Sequence, residues 1–441
     1  MRAYWPISLA LSLAMATVAS GADLLDVYRM AQSSDAQYAA ARATWSASQE
    51  RLPQGLSGLL PSASVSANTQ NNDREFRSRD PATASTDTRF NSNSVALSIS
   101  QPLYRPQNLT AYGQAKTQVT QADAVFAQAS QDLLLRVAQA YFDVLLAQDT
   151  VEFAQAQLTA IARQLDQAKR NFEVGVATIT DTHEAQSRYD ITVSTEIAAR
   201  NDLELRKRQL ELLVGRAAPG LAPLGKRFGL RPPEGSMDRW VAEAGENNPQ
   251  VRISRAGLEF ATQEIERNRA GHRPTVDAFA TYSDAGSGFG TVGIAGNDTT
   301  QRIIGLQVAI PIYQGGLVSS RVREAIANED RARQDLENAR RTAELVARQT
   351  YLGVNTGVAQ VKALEAALVS SQSLLDSTRL GQEVGVRTQI DVLNAQQQLS
   401  QTRRDLAQAK YNYILALLRL KSSAGQLSEQ DLAQVNAWLD R

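Results

Sequence analysis

The sequence repeats itself at an offset of about 210 residues, and the repeat limits the chain to folds built twice from one plan. FEVGVATITD at 172–181 aligns with QEVGVRTQID at 382–391, so Gly175 falls on Gly385 (385 − 175 = 210). The same offset carries Tyr141 onto Tyr351, Ala185 and Gln186 onto Ala395 and Gln396, and Gly215 onto Gly425. Nearby offsets match Val95 and Tyr104 to Ile304 and Tyr313, and Pro61 to Pro274. Glycines, prolines and tyrosines coincide as well as alanines, which a chance match between two Ala/Gln-rich helices would not produce.

Each half has two segments that alternate with a period of two, the mark of a strand with unlike faces. Ser62, Ser64, Ser66 and Asn68 alternate with Ala63, Val65, Ala67 and Thr69, while Val95, Leu97 and Ile99 alternate with Ala96, Ser98 and Ser100. In the second half Ile304, Leu306, Val308 and Ile310 share a face. The strands are expected at about 61–72, 93–104, 274–283 and 302–313. About ten alternating residues is the length of a transmembrane β-strand. Polar stretches at 73–91 and 283–300 read as long hairpin loops. Two ordinary soluble hairpins would give the same pattern.

The rest of each half is helical. Residues 114–174 hold no Gly or Pro, and Leu158, Ile161, Leu165, Ala168 and Phe172 recur at steps of three and four, a coiled-coil seam. Helices are expected at about 105–174 and 176–214, and again at 314–382 and 386–424, with Gly175 and Gly385 in the turns. Leu399, Leu406, Tyr413 and Leu420 are one heptad apart. A run of this length extends roughly 100 Å at 1.5 Å per residue, more than a globular core needs.

Composition removes several kinds of chemistry. With 46 basic and 46 acidic residues the formal net charge is zero, so no basic field exists to attract nucleic acid. The sequence has no cysteine, which excludes disulfides, thiolate metal sites and a cysteine nucleophile. His183 and His272 are the two histidines, and neither has a metal-ligand neighbourhood in the sequence. Gly286, Gly288 and Gly290 imitate a phosphate loop but lack the lysine and the following helix that a phosphate needs. No catalytic, cofactor or structural metal site is expected. Residues 1–22 read as a secretory signal: Arg2, then an apolar stretch, then small residues before Asp23. No later segment approaches the ~20 apolar residues of a spanning helix.

If the strands lie in a membrane, their edges must be paired, because an orphaned backbone group in lipid costs several kcal/mol. Four strands cannot close a barrel. Two copies would give eight strands and a filled lumen, and three would give twelve and a wet one. The serine-rich face favours the latter.

The duplication, the proline-ended strands (Gln101-Pro102-Leu103-Tyr104 and Ile310-Pro311-Ile312-Tyr313) and the Val-Gly-x-x-Thr turns resemble the TolC family of outer-membrane channel proteins. The resemblance covers essentially the whole chain after the signal. It implies a mainly α protein with membrane β-structure: a homotrimeric, twelve-stranded outer-membrane barrel, continued by a long periplasmic α-helical barrel and internally duplicated. The first repeat would be 23–215, a linker and equatorial segment 216–235, the second repeat 236–425 and an equatorial tail 426–441. The implied function is the exit duct of a tripartite efflux pump or type I secretion system. Its implied partners are outer-membrane lipid, a periplasmic adaptor (membrane fusion) protein, and an inner-membrane ABC, RND or MFS transporter. A periplasmic coiled-coil adaptor is the alternative reading, and it leaves the paired strands unexplained.

Carried over residue by residue, the resemblance places Asp391 in a carboxylate ring at a closed aperture, and puts Asn394 at the second, here uncharged, ring position. Arg387 would tie the second hairpin to the first through Thr180 and Asp181. Gln382 stands where the family has a tyrosine that makes a further tie. A plainer role is compatible with these: Thr178 with Asp181, and Thr388 with Asp391, have the spacing of a helix N-cap with an acid at the third position.

Overall fold

The computed structural model describes residues 21–82, 84–225, 227–289 and 295–440. Nearly all of the expected signal at 1–22 lies outside the described residues, as does Gly290. The chain divides into two compact units, one formed by 1–41, 128–248 and 343–441 and the other by 42–127 and 249–342. In chain order the elements are α1 (Leu24–Ser34), α2 (Ala36–Gln49), α3 (Arg51–Ser57), β1 (Ser62–Phe76), β2 (Thr86–Tyr104), α4 (Pro106–Glu173) and α5 (Ile179–Val214). The second half repeats the order with α6 (Met237–Asn247), α7 (Pro249–Arg269), β3 (Thr275–Ser287), β4 (Asn297–Ala309), α8 (Leu317–Glu383) and α9 (Gln389–Ser423), and α10 (Glu429–Asn436) follows. None of the described helices is long and apolar enough to cross a membrane.

In the second unit the four strands form one antiparallel sheet in the order β1-β2-β3-β4. The two halves therefore meet strand to strand at β2–β3. The register places Val65 beside Leu97, Leu97 beside Tyr282, and Ile99 beside Ala280, which faces Ile304. On the other face, Ser64 pairs with Ser98 and Ser98 with Thr281. One face is thus aliphatic and the other hydroxylic, and the aliphatic one is bare: Ile304 is 90% exposed. Among the described residues β1 and β4 have no outer neighbour.

At their hairpin ends the strands outrun the expected ones, so that 73–76, 86–91, 283–287 and 297–300 of the expected loops are strand, whereas at its other end β4 stops at Ala309, short of the expected 313. The ladder continues through Asp73 opposite Arg89 to Phe76 opposite Thr86, and through Ser287 opposite Asn297. Backbone pairing does not require an apolar face, so hydropathy alternation stops before the hydrogen bonds do. Arg89 Nε donates to Asp73 Oδ2 at 3.0 Å across the strands, one of the polar pairs that replace apolar contacts there. At the other end Arg105 meets Asp277 in a bidentate pair, with both contacts at 2.7 Å, fixing the β2–α4 junction to β3.

The first unit holds the helical hairpins and most of the core. Its aromatic centre stacks Phe142 on Tyr411 at 5.5 Å with Tyr141 edge-on to Phe142. The buried Tyr141 hydroxyl donates to the Ala222 carbonyl at 2.8 Å, tying α4 to the linker. Buried Leu24 and Leu432 belong to the same unit, where the Leu24 N–H donates to Asn436 Oδ1 at 3.0 Å. Helices α1–α3, α6 and α7 were not legible as separate elements. The caps of α1 and α6 explain those two in retrospect: Asp23 and Ser236 each accept from the backbone N–H three residues on.

The seam expected in the first hairpin is shorter than its pattern. Ile161, Leu165 and Ala168 are buried, and Leu165 and Ala168 pack with Ala185, but Phe172 is 43% exposed. The last turn of α4 outlives its partner helix, because α5 begins at Ile179. In the second hairpin Leu399, Leu406, Tyr413 and Leu420 are all buried. Gly353 and Gly357 lie within α8 and do not interrupt it.

Candidate functional site: the two hairpin turns

Both turns are closed in one way. The first helix ends in a residue with φ near +80°, Gly175 at 76° and Gly385 at 80°, values that a Cβ disfavours. The amide of the next residue then reaches back to a helix carbonyl: Val176 to Asn171 and Val386 to Gly381, each at 2.9 Å. Two residues on, a threonine caps the returning helix. Thr178 Oγ1 accepts from the Asp181 N–H at 3.2 Å while Asp181 Oδ2 accepts from the Thr178 N–H at 2.9 Å. Thr388 and Asp391 repeat both bonds at the same distances.

These bonds set the charge state of both acids. Hydrogen bonds from the Thr388 amide and hydroxyl hold the Asp391 carboxyl below its ordinary range, with a smaller contribution from nearby Arg387. Asp181 is lowered by its own bonds from Thr178. Both are anionic at neutral pH, and both are accessible to solvent. Asn394 is exposed one turn beyond Asp391 on the same side of α9.

The Arg387 amide donates to the Gly381 carbonyl at 3.0 Å, and its charge acts on Asp391 of its own turn. Among the described residues no hydrogen bond or ion pair joins the Arg387 side chain to Thr180 or Asp181. The reason is local: the Asp181 carboxylate is engaged by its own cap, and the Arg387 side chain lies back over Gly381, where a Cβ would meet its Cγ at 2.7 Å. Gln382 Nε2 donates to Gln389 Oε1 inside its own hairpin. His183 is exposed on α5.

Two features of the first unit had no sequence signal. A cleft of about 510 Å³ among α4, α5 and α9 is lined in part by Gln157, Ile161, Arg188, Leu393 and Gln397. Arg188 pairs with Glu184 at 3.1 Å on its wall. Separately, the Tyr411 hydroxyl donates to Asp149 Oδ2 at 2.7 Å, joining α9 to α4. Burial pushes the Asp149 carboxyl up, partly offset by this bond. The two residues are 262 positions apart, and only the presence of an acid inside an apolar stretch of α4 hints at a buried partner.

The family model described as outer membrane efflux protein matches residues 27–216 and 240–426. The chain is 33% identical over 441 residues to the outer membrane protein TolC of Vibrio cholerae, with 98% of each covered. It is 34% identical over 430 residues to the alkaline protease secretion protein AprF of Pseudomonas aeruginosa, covering 94% of this chain and 86% of that one. Among solved structures, the outer membrane protein VceC from Vibrio cholerae superposes with a TM-score of 0.76 at 18% identity, covering 91% of this chain and 96% of the other. The CmeC outer membrane channel of Campylobacter jejuni gives 0.77 at 16%, covering 95% and 90%. At those identities the likeness shows the fold, an internally duplicated arrangement of long helices and a four-stranded sheet.

Proposed function

The chain belongs to the outer membrane efflux protein family, and from that premise we propose that it is an outer-membrane exit duct serving efflux and type I secretion. It acts as a channel and catalyses no reaction. The observation that carries this reading is the sheet: four strands, aliphatic on one face and lined with serine and threonine on the other, with two open edges. In lipid those edges must be paired. Pairing β4 of one copy with β1 of the next closes twelve strands from three copies, with the aliphatic face to the bilayer and the hydroxylic face to a water-filled lumen.

The helical hairpins would then lie in the periplasm. Three Asp391 carboxylates brought together at a common axis would concentrate negative charge at the narrow end and attract cations, while Asn394 leaves the next ring neutral. Arg387, whose side chain makes no ion pair among the described residues, would tie the second hairpin to a first hairpin through Thr180 and Asp181. Each such tie is exposed and contributes only ~0.2–1 kcal/mol, so three could hold an aperture that a docking partner opens. That partner would be a periplasmic adaptor carrying an inner-membrane ABC, RND or MFS transporter. Similarity to a protease secretion protein supports the export of proteins, and the efflux-protein family model supports that of small molecules.

The reading is tested by reconstitution. Purified protein in planar bilayers should give discrete conductance steps, and a strain lacking the gene should lose export that the cloned gene restores. Absence of conductance from protein that is correctly inserted would refute the channel.

A further inference from the structure

The aliphatic face of β4 ends abruptly at a cation. Ile304, Leu306 and Val308 follow one another at every second position of β4, Ile310 and Ile312 lie just past its end at Ala309, and each is well exposed, Ile304 at 90%. Ile304 to Ala309, five steps at ~3.4 Å, make about 17 Å of strand, within the ~25 Å apolar band of an outer-membrane barrel. The next position in the series toward the β3–β4 hairpin is Arg302. It is exposed, and its guanidinium carbon lies 5.8 Å from the centre of the Tyr282 ring, its cross-strand partner. Beyond Arg302 the same face becomes polar with Thr300 and Asp298.

A cation on the lipid side of a barrel is costly at the bilayer midplane and tolerated at the interface. Arg302 lies one step past the apolar series, where headgroups begin, and Tyr282 is the kind of residue found at that level. Among the described residues Arg302 has no ion pair. Asp284, the acid diagonally across on β3, is not within bonding distance of it. Arg89, also on this side but farther out, is engaged by Asp73. Because both β2 and β4 lead into helices at their other ends, the hairpin end carrying Arg302 faces away from the periplasm.

We propose that Arg302, seated on the Tyr282 ring, is a binding site for the phosphate of an outer-leaflet lipid headgroup. The proposal rests on the membrane reading of the sheet. A guanidinium presents a planar pair of donors that suits a phosphate, and the aliphatic residues beneath it would accept the acyl chains of the same molecule. The ring under the guanidinium limits its motion and leaves its edge for the ligand.

The test is native mass spectrometry of the detergent-extracted assembly, titrated with diphosphorylated lipid A. The wild-type protein should retain lipid A, and Arg302→Gln should weaken retention on the order of tenfold, as expected for one lost charge-assisted contact. Tyr282→Leu should weaken it less, and Arg89→Gln should leave it unchanged. Equal retention by Arg302→Gln, or equal binding of lipid A stripped of its phosphates, would overturn the proposal. Displacement of lipid A by an equal concentration of inorganic phosphate would also overturn it, by showing a free-phosphate site. Wild-type protein that never assembles in membranes would defeat the duct reading as well, whereas an inserted, conducting channel indifferent to Arg302→Gln defeats this inference alone.

Discussion

The turn at 174–181 and the turn at 384–391 are copies of one object. Val-Gly-Val, the positive-φ glycine, the capping threonine and the acid three residues on all coincide at the 210-residue offset, and so do the hydrogen-bond distances between threonine and acid. The positions that differ are those that project from the turn. Ala177 stands opposite Arg387, Phe172 opposite Gln382, and Glu184 opposite Asn394. The shared residues make a reversal of the chain, and the unshared ones give each reversal its own surface. Glu184 is held by Arg188, whereas among the described residues the Arg387 side chain has no ion pair and acts on the nearby Asp391 of its own turn. On this difference rests the proposal that the second turn forms the gate.

Substitutions made in pairs, one in each turn, would break or sharpen this contrast. The largest difference is expected for the acids. Asp391→Ala should abolish block of single-channel current by multivalent cations, while Asp181→Ala, which removes an identical cap, should leave the block in place. Loss of block in both would place the cation site away from the second turn. Next, Arg387→Ser should raise single-channel conductance and Ala177→Ser should not; equal behaviour would remove Arg387 from the gate. Gly175→Val and Gly385→Val should cost about the same, ~1–2 kcal/mol each, since each forces a Cβ into the left-handed region. Hydrogen exchange at the turn amides would read that cost. The smallest effect is that of pH. The folded-state pKa of Asp391 lies below its ordinary value of 3.8, so its cap contributes fully above about pH 4 and is lost as pH falls through the lower folded value. Cation block should therefore persist unchanged from pH 7 to pH 5. A midpoint within that interval would mean that repulsion among the gathered carboxylates outweighs the hydrogen bonds from Thr388.

Local periodicity made the strands and long helices legible. Period-two alternation located Ser62 to Thr69, Val95 to Ser100 and Ile304 to Val308, and heptad spacing located Leu399 to Leu420. Where the physics ceased to be local, the pattern stopped informing. The strand ladder past Asp73 has no apolar face to betray it, and the exposed Phe172 continues a seam whose partner helix has not yet begun. Thr388 and Asp391 were readable as a cap because a capping box is a four-residue object. Asp149 and Tyr411 were not, because their bond joins residues from opposite halves of the repeat. The partner proposed for Arg387 would be illegible for a similar reason: a contact made by a neighbouring copy is written in no single chain.

The central claim is that one chain carries too few strands to seal its own sheet and closes it with two others. Native mass spectrometry of protein extracted from the outer membrane tests this most directly. A particle of three chains, held by β1–β4 contacts that cysteines introduced on those two strands can cross-link between copies, is the predicted result. A monomer, or a dimer whose eight strands close without a third copy, would contradict the account.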